Sequence, residues 1–377
     1  MKPTDTRDRV RAIRAAIRAE EGRLRARHPW LARQDVLGLA CFLLSLAGMA
    51  GVAAAYLAGG LTWWLAIPLI ALPLSVLHEI EHDLIHDLYF RRRRWAQNLM
   101  FTVIWFCKLG LNPWYRRRIH LKHHRDSGQA TDIEERLIGI GLPLGWLRLL
   151  IALHPIGSVV LFRRLLRDVP DFRPVRMILL SLPTYAIFAA LWLGFPAYLW
   201  LGPDGGLPAW GWPWVRDLTV LLFAPNVLRQ MCLILMSSYS HYYADIPPGD
   251  VYYQNQVLSS RLLWPLQAFC CNFGATHIIH HYVVRQPFYV RQLVAAAAHA
   301  EMFRQGVPHN DFGTIARNNR AGLGTGVAPT DPGRGTTSVP CVPGPCCSVG
   351  TPTVSVYKSG QLVTDLQRPT PGGQLPV

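Results

Sequence analysis

Residues 61–86 read LTWWLAIPLIALPLSVLHEIEHDLIH. A charge-free run, Leu61–Leu77, leads directly into three histidines, His78, His82 and His86, each four residues from the next. Crossing the hydrocarbon core of a bilayer takes about 20 helical residues, and residues four apart on a helix share a face. The segment therefore reads as a membrane span over 61–82 that ends in a stripe of imidazoles.

Working outward, three more apolar runs reach spanning length: Val36–Ala58, Met177–Leu201 and one from about Leu218 to Ser240. The chain has 377 residues, with 38 Lys+Arg against 23 Asp+Glu, a net charge of +15, and only 16% charged residues. A typical soluble protein carries about 25%. The 13 Trp, 14 Phe and 13 Tyr exclude disorder throughout, and the size excludes a small disulfide scaffold. The first run follows 35 largely polar residues, so it reads as a span and not as a cleaved signal peptide.

Ten Lys or Arg lie in residues 1–35 and seventeen in 83–176, whereas the connections Gly59–Gly60 and Gly202–Val215 carry none. The positive-inside bias then puts both termini and the long central loop in the cytoplasm. The expected fold is an all-α membrane protein with about four transmembrane helices in two hairpins, and a cytoplasmic helical cap that holds the histidines. Residues 1–35 form a basic segment in which Val10, Ile13, Ile17 and Leu24 recur at helical spacing. It reads as an amphipathic helix on an anionic leaflet or as a solvated charged helix. Residues 36–319 form the membrane domain. Within it, Asn98–Trp114, Leu137–Phe162 and Val257–Phe273 are interrupted apolar stretches that suit interfacial helices. Residues 320–377, rich in Gly, Pro, Ser and Thr, cannot bury enough apolar area to offset their ordering entropy and read as a disordered tail. The preference for Arg over Lys points to a GC-rich bacterial source, and hence to the inner membrane. The eight cysteines form no CxxC pair, so neither a zinc knuckle nor a disulfide framework is indicated.

Nine of the 14 histidines fall in four places on the expected cytoplasmic side: His78 and His82, then HLKHH (His120, His123, His124), His241 at the end of the fourth span, and HIIHH (His277, His280, His281). Imidazole suits iron, zinc, copper and nickel. A zinc site takes four ligands, or three plus water, so nine histidines suit two ions that share a site. Glu79, Glu81, Asp83 and Asp126 are candidates to accept the outward ring N–H groups; the alternative for each is an ordinary solvated charge. His86 continues the row as a ligand, a neighbour of the ligands, or a surface residue one turn beyond them, and the last two are favoured. HEIEH also fits the zinc-protease pattern HExxH, but that reading leaves both HxxHH strings unexplained. The basic clusters Arg91–Arg94 and Arg116–Arg118 are accounted for by topology and anionic headgroups, so no nucleic-acid partner is expected. Arg229, midway along the fourth span, is a costly charge. A helix-packing role against a backbone carbonyl is expected for it, with the far end of a substrate tunnel as the alternative.

Two apolar hairpins, with HEIEH and HLKHH after the first and HIIHH after the second, resemble the membrane fatty acid desaturase and hydroxylase superfamily over roughly Leu61 to Gln292. The resemblance implies a non-haem di-iron centre, dioxygen as co-substrate, and hydrogen removal from an unactivated C–H bond of a lipid acyl chain. Carried over residue by residue, it implies the ligands His78, His82, His120, His123, His124, His277, His280 and His281. His241 matches the additional histidine of acyl-CoA desaturases. The Asn found there four residues earlier is Ser237 in this chain. No residue separate from the metal ligands is assigned a catalytic role. The expected activity is desaturation, with lipid hydroxylation as the alternative on the same site. A non-catalytic metal-binding or metal-transporting membrane protein is the alternative of another class. The chain has no CxxCH, flavin or HPGG motif, so electrons are expected from an external ferredoxin or cytochrome, docked on the basic face.

Overall fold

The computed structural model describes residues 5–153, 157–202 and 211–323 of the chain. Among these residues every element is helical, apart from two isolated bridges, His241 with Asn255 and Val257 with His309. In chain order the helices begin with α1 (Thr6–Arg27), α2 (Gln34–Leu57) and α3 (Trp63–Ile85). There follow α4 (Arg94–Lys108), α5 (Pro113–Asp126), α6 (Ile133–Leu137), α7 (Trp146–Leu153) and α8 (Phe162–Asp168). Next are α9 (Pro174–Leu201), α10 (Gly211–Leu218) and α11 (Ala224–Ser240). The last are α12 (Val251–Gln254), α13 (Trp264–Ala268), α14 (Phe273–Tyr282) and α15 (Phe288–Arg304).

Four helices are long and apolar enough to cross a membrane: α2, α3, α9 and the continuous Gly211–Ser240. The last of these joins α10 to α11 through a π-helical turn, Thr219–Phe223. Pro225 sits just beyond that turn and has no N–H to return to it, and the wider turn accommodates the gap. The spans agree with the sequence reading to within a turn at most ends. The second continues to Ile85, however, and the fourth begins at Gly211, seven residues earlier than expected. Half of α3 and half of Gly211–Ser240 are buried, whereas α2 and α9 are mostly exposed. The inner pair carries the polar residues; the outer pair presents Leu43, Leu44, Leu179 and Leu193 outward. Tyr56 at the end of α2 donates to Asp217 of α10 at 3.2 Å, which ties together one end of the bundle.

The stretches expected at the interface do expose apolar faces, with Trp95, Leu99 and Phe106 on α4 and Trp146 and Leu149 on α7. Arg148 of α7 turns inward. It stacks over the Tyr239 ring at 4.2 Å and donates to the Leu142 carbonyl, fixing α7 against α11. The domain runs past the expected boundary at 319. The Asp245 carboxylate accepts the amides of Ala321 and Gly322, and Asn319 is fully buried. The expected tail, from residue 324 onward, lies outside the described residues.

The helical periodicity read in residues 1–35 is present in α1, but what it meets is protein. Val10, Ile13 and Ile17 are buried against Ile278 and Ile279 of α14 and Val290, Val294, Ala298 and Met302 of α15. Arg9 donates to the Tyr252 hydroxyl at 2.7 Å and Arg14 to the Tyr282 carbonyl at 3.0 Å. In place of either expected surrounding, leaflet or solvent, the stripe meets the back of the third histidine helix. Ile17→Ala removes a fully buried side chain from this seam, and is expected to cost about 2–5 kcal/mol. Thermal unfolding of the detergent-solubilised protein measures this, and an unchanged midpoint would contradict the packing described.

Candidate metal centre

Four stretches of chain carry histidines to one place, and each is locally built to do so. α3 delivers His82 and His86 at its C-terminal end. α5 starts at Asn112, whose side chain accepts the Tyr115 amide at 3.0 Å, with Pro113 in the first turn where its missing N–H costs nothing. α14 starts after two non-glycine residues in the left-handed region, Cys271 and Asn272. Its Gly274 allows close approach to α11, since a Cβ there would collide with the Met236 side chain. His241 caps the end of α11.

The ring nitrogens converge in two groups. The first is His82, His86, His120, His124 and His280; the second is His123, His241, His277 and His281. Within each group one nitrogen per residue lies within 4.8 Å of all the others. In the first, the Nε2 atom of His86 is 3.0 Å from that of His120, 3.2 Å from that of His124 and 3.1 Å from that of His280. In the second, the Nε2 atom of His281 is 3.0 Å from that of His277 and 3.4 Å from those of His123 and His241. The two HxxHH strings are used in opposite senses. α5 gives its i, i+4 pair, His120 and His124, to the first group and His123 to the second. α14 gives His277 and His281 to the second and His280 to the first. Helical spacing thus lets each helix serve both groups.

The outward nitrogens are fixed by acceptors, most of which the sequence did not reveal. His120 Nδ1 is 2.6 Å from Glu134, His123 Nδ1 is 2.8 Å from Asp132, and His281 Nδ1 is 3.2 Å from Gln254 Oε1. His241 Nδ1 is 2.8 Å from the Ser237 carbonyl and 3.5 Å from Glu135, which itself accepts from the Ser237 hydroxyl. Asp132 does two jobs. One oxygen caps α6 by accepting the Glu135 amide, and the other holds His123. The D-x-x-E pattern of Asp132 to Glu135 resembles a capping box; it points to a helix start but not to the histidine that Asp132 holds. The carboxylates expected to take ring N–H groups act otherwise. Glu79 and Asp83 both hold Arg291, whose Nη1 lies 3.0 Å from His280 Nδ1. Glu81 pairs with Lys108 and Arg116, and Asp126 with Arg125 and Lys122.

Two expectations change places. His78 joins neither group. It lies one turn before His82, with Nδ1 2.9 Å from the Lys108 ammonium and Nε2 3.5 Å from Arg116. A ring facing two cations has no room for a third. His86, expected beside the ligands or beyond them, stands in the middle of the first group.

Electrostatics favour neutral, coordinating imidazoles. Burial, reinforced by neighbouring imidazoles, holds His277, His280 and His281 well below the ordinary histidine value. It lowers His86 to about 2. Burial also opposes charge on His123, but there the Asp132 carboxylate prevails and raises it to about 9. Neutral imidazole is the form that binds metal. His82 gives the strongest sign that something belongs here, because both of its ring nitrogens are buried without a hydrogen-bond partner. Buried polar atoms are almost always satisfied, and a metal in the first group would satisfy one of these. The nine converging imidazoles therefore fit two ions. A cavity of about 160 Å³ adjoins them, lined by His82, His120, His123 and His277 at one end and reaching Asn226 and Arg229 on α11.

Among the described residues, four membrane-length helices and a double histidine cluster that could hold metal define an integral membrane protein. The fatty acid desaturase family model matches residues 58–313, and the chain belongs to that family. No curated protein matches the chain.

The geometry separates His78 from His86 by experiment. His86→Ala is expected to lower bound metal markedly, and His78→Ala to leave it near the wild-type level, as measured by elemental analysis of purified protein. Asp132→Ala, which frees the outward nitrogen of His123, is expected to weaken metal binding about 10–100-fold.

Proposed function

We propose that the protein is an O2-dependent di-iron oxidoreductase that desaturates the acyl chain of a fatty acid or lipid. The observation that carries this reading is the division of nine buried or half-buried histidines into two adjacent groups, in a chain of the desaturase family. His82, His86, His120, His124 and His280 would hold one iron, and His123, His241, His277 and His281 the other. Two irons so held would supply the reductive activation of dioxygen and the removal of hydrogen from an unactivated C–H bond. The balance is two protons and two electrons from the acyl chain (its two hydrogen atoms), with two electrons and two protons from a donor and solvent, against reduction of one O2 to two waters.

The chain's own residues prepare the site for this. Glu134, Asp132, Gln254 and the Ser237 carbonyl fix the ring orientations, which keeps the donor set rigid. The cavity wall near the histidines includes Ile119, Leu137, Met177 and Phe273, which limit water where an acyl methylene would lie. The positive-inside bias supports two hairpins with a cytoplasmic helical cap and both termini in the cytoplasm. There the excess of basic residues would attract an acidic ferredoxin or a cytochrome.

Elemental analysis and Mössbauer spectroscopy of the detergent-purified protein test the metal assignment, with about two irons per chain expected. Lipid profiling under dioxygen with a reductant then tests the reaction, with an alkene expected and loss of turnover in His124→Ala and His281→Ala. Zinc in place of iron in freshly purified, active protein would overturn the reading. An alcohol as the sole product would make the enzyme a hydroxylase.

A further inference from the structure

Arg229 is 2% exposed and lies on α11, midway through the fourth span. The backbone carbonyl expected to satisfy it is not what it binds. Among the described residues its one hydrogen bond runs from Nη2 to the Gln230 side-chain oxygen at 2.9 Å, and its buried Nε and Nη1 find no partner there. One turn earlier on the same helix, Asn226 donates to the Cys107 and Leu222 carbonyls while its Oδ1 is also unpartnered. Both residues line the cavity that reaches the histidines.

The carboxylates around that cavity are engaged elsewhere. Glu81 pairs with Lys108 and Arg116, Glu134 with Arg116 and His120, and Glu135 accepts from Ser237 through one oxygen while the other lies 3.5 Å from His241. Among the described residues none makes an ion pair with Arg229. A guanidinium cannot shed its proton to escape burial, and an unpaired charge in such a place is costly unless an anion joins it. At its acyl end a thioester or ester offers a neutral carbonyl, with any charge carried on the headgroup beyond. A free fatty acid offers a carboxylate, and Arg–carboxylate bonds are among the stronger hydrogen bonds available. The cavity volume of about 160 Å³ is comparable to one known to hold a benzene-sized guest, at about 150 Å³. It accommodates the acid end of a chain and several methylenes beside the histidines.

We propose that the substrate is a free fatty acid that enters carboxylate first, with Arg229 as the residue that binds the carboxylate and so selects free acids over esters and thioesters. The carbon presented to the histidines then lies close to the acid group. This rests on the oxidoreductase reading above, but it is tested by binding alone.

The test is isothermal titration of the iron-replete, detergent-purified protein with octanoate and with octanamide, which match in length and differ in charge. Octanoate is expected to bind at least roughly tenfold more tightly, a difference of about 1.4 kcal/mol. Arg229→Met is expected to abolish that preference at unchanged iron content, and Arg229→Lys to keep part of it. Equal binding of acid and amide by the wild-type protein would overturn the proposal without needing any variant. So would a preference that survives in Arg229→Met. A protein that oxidises lipids yet binds acid and amide alike would keep the reaction and lose the carboxylate site. A protein without oxidase activity whose octanoate preference depends on Arg229 would keep the site and lose the reaction.

Discussion

Everything in this structure depends on holding nine imidazoles, seven buried and two half-buried, pointed at two places. Left alone, imidazoles packed this closely would lose their hydration without gaining partners. The chain meets the difficulty from behind, with acceptors or an arginine against the Nδ1 atoms of five of the nine. Those anchors come from α6, the end of α11, α12 and α15, none of which carries a histidine box. Two short helices, the end of a span and the last long helix are thus the scaffold that orients the rings.

A second layer of charge surrounds the rings. Arg291 is gripped by Glu79 and Asp83 and faces His280, while Lys108 and Arg116 are gripped by Glu81 and face His78. Burial lowers Lys108 to about 7 even with that carboxylate beside it. Ion pairs this deep contribute little net stability; what they add is fixed geometry. Asp83 also accepts the Tyr89 hydroxyl and the Phe288 amide, each at 2.8 Å, and so binds the end of α3 to the start of α15. The string HEIEHDLIH therefore has two sides. His82 and His86 enter the cluster, and Glu79 and Asp83 hold the arginine behind it.

The spans were legible because hydrophobicity summed over 20 residues is a strong signal. The HxxHH strings were legible because three- and four-residue spacings translate directly into a helix face. The choice between His78 and His86 was not. Three histidines at equal four-residue intervals form two equivalent pairs, and what decides is how far α3 runs before it ends. It runs to Ile85, one turn beyond the expected end, which brings His86 into the cluster and leaves His78 among cations. Asp132, Glu134 and Arg291 were illegible for a different reason. Their contacts to the histidines are tertiary, made from a five-residue helix and from a helix beyond the last box, and composition says nothing about either. The amphipathic pattern of α1 was read correctly as a helix, but periodicity cannot name the apolar surface that covers it.

That last point bears on how the protein is made. Arg14 and Tyr282, which hydrogen-bond in the finished structure, are 268 residues apart in sequence. At a synthesis rate of about 5–20 residues per second, α1 waits on the order of tens of seconds for α14 and α15 to emerge. During that interval Val10, Ile13 and Ile17 have no protein to cover them. The apolar medium at hand is the membrane surface, where arginines flanking a narrow apolar stripe are at home. An element made long before its partners is thus among the last to be seated, and α1 closes over the third histidine helix only once α14 and α15 are in place.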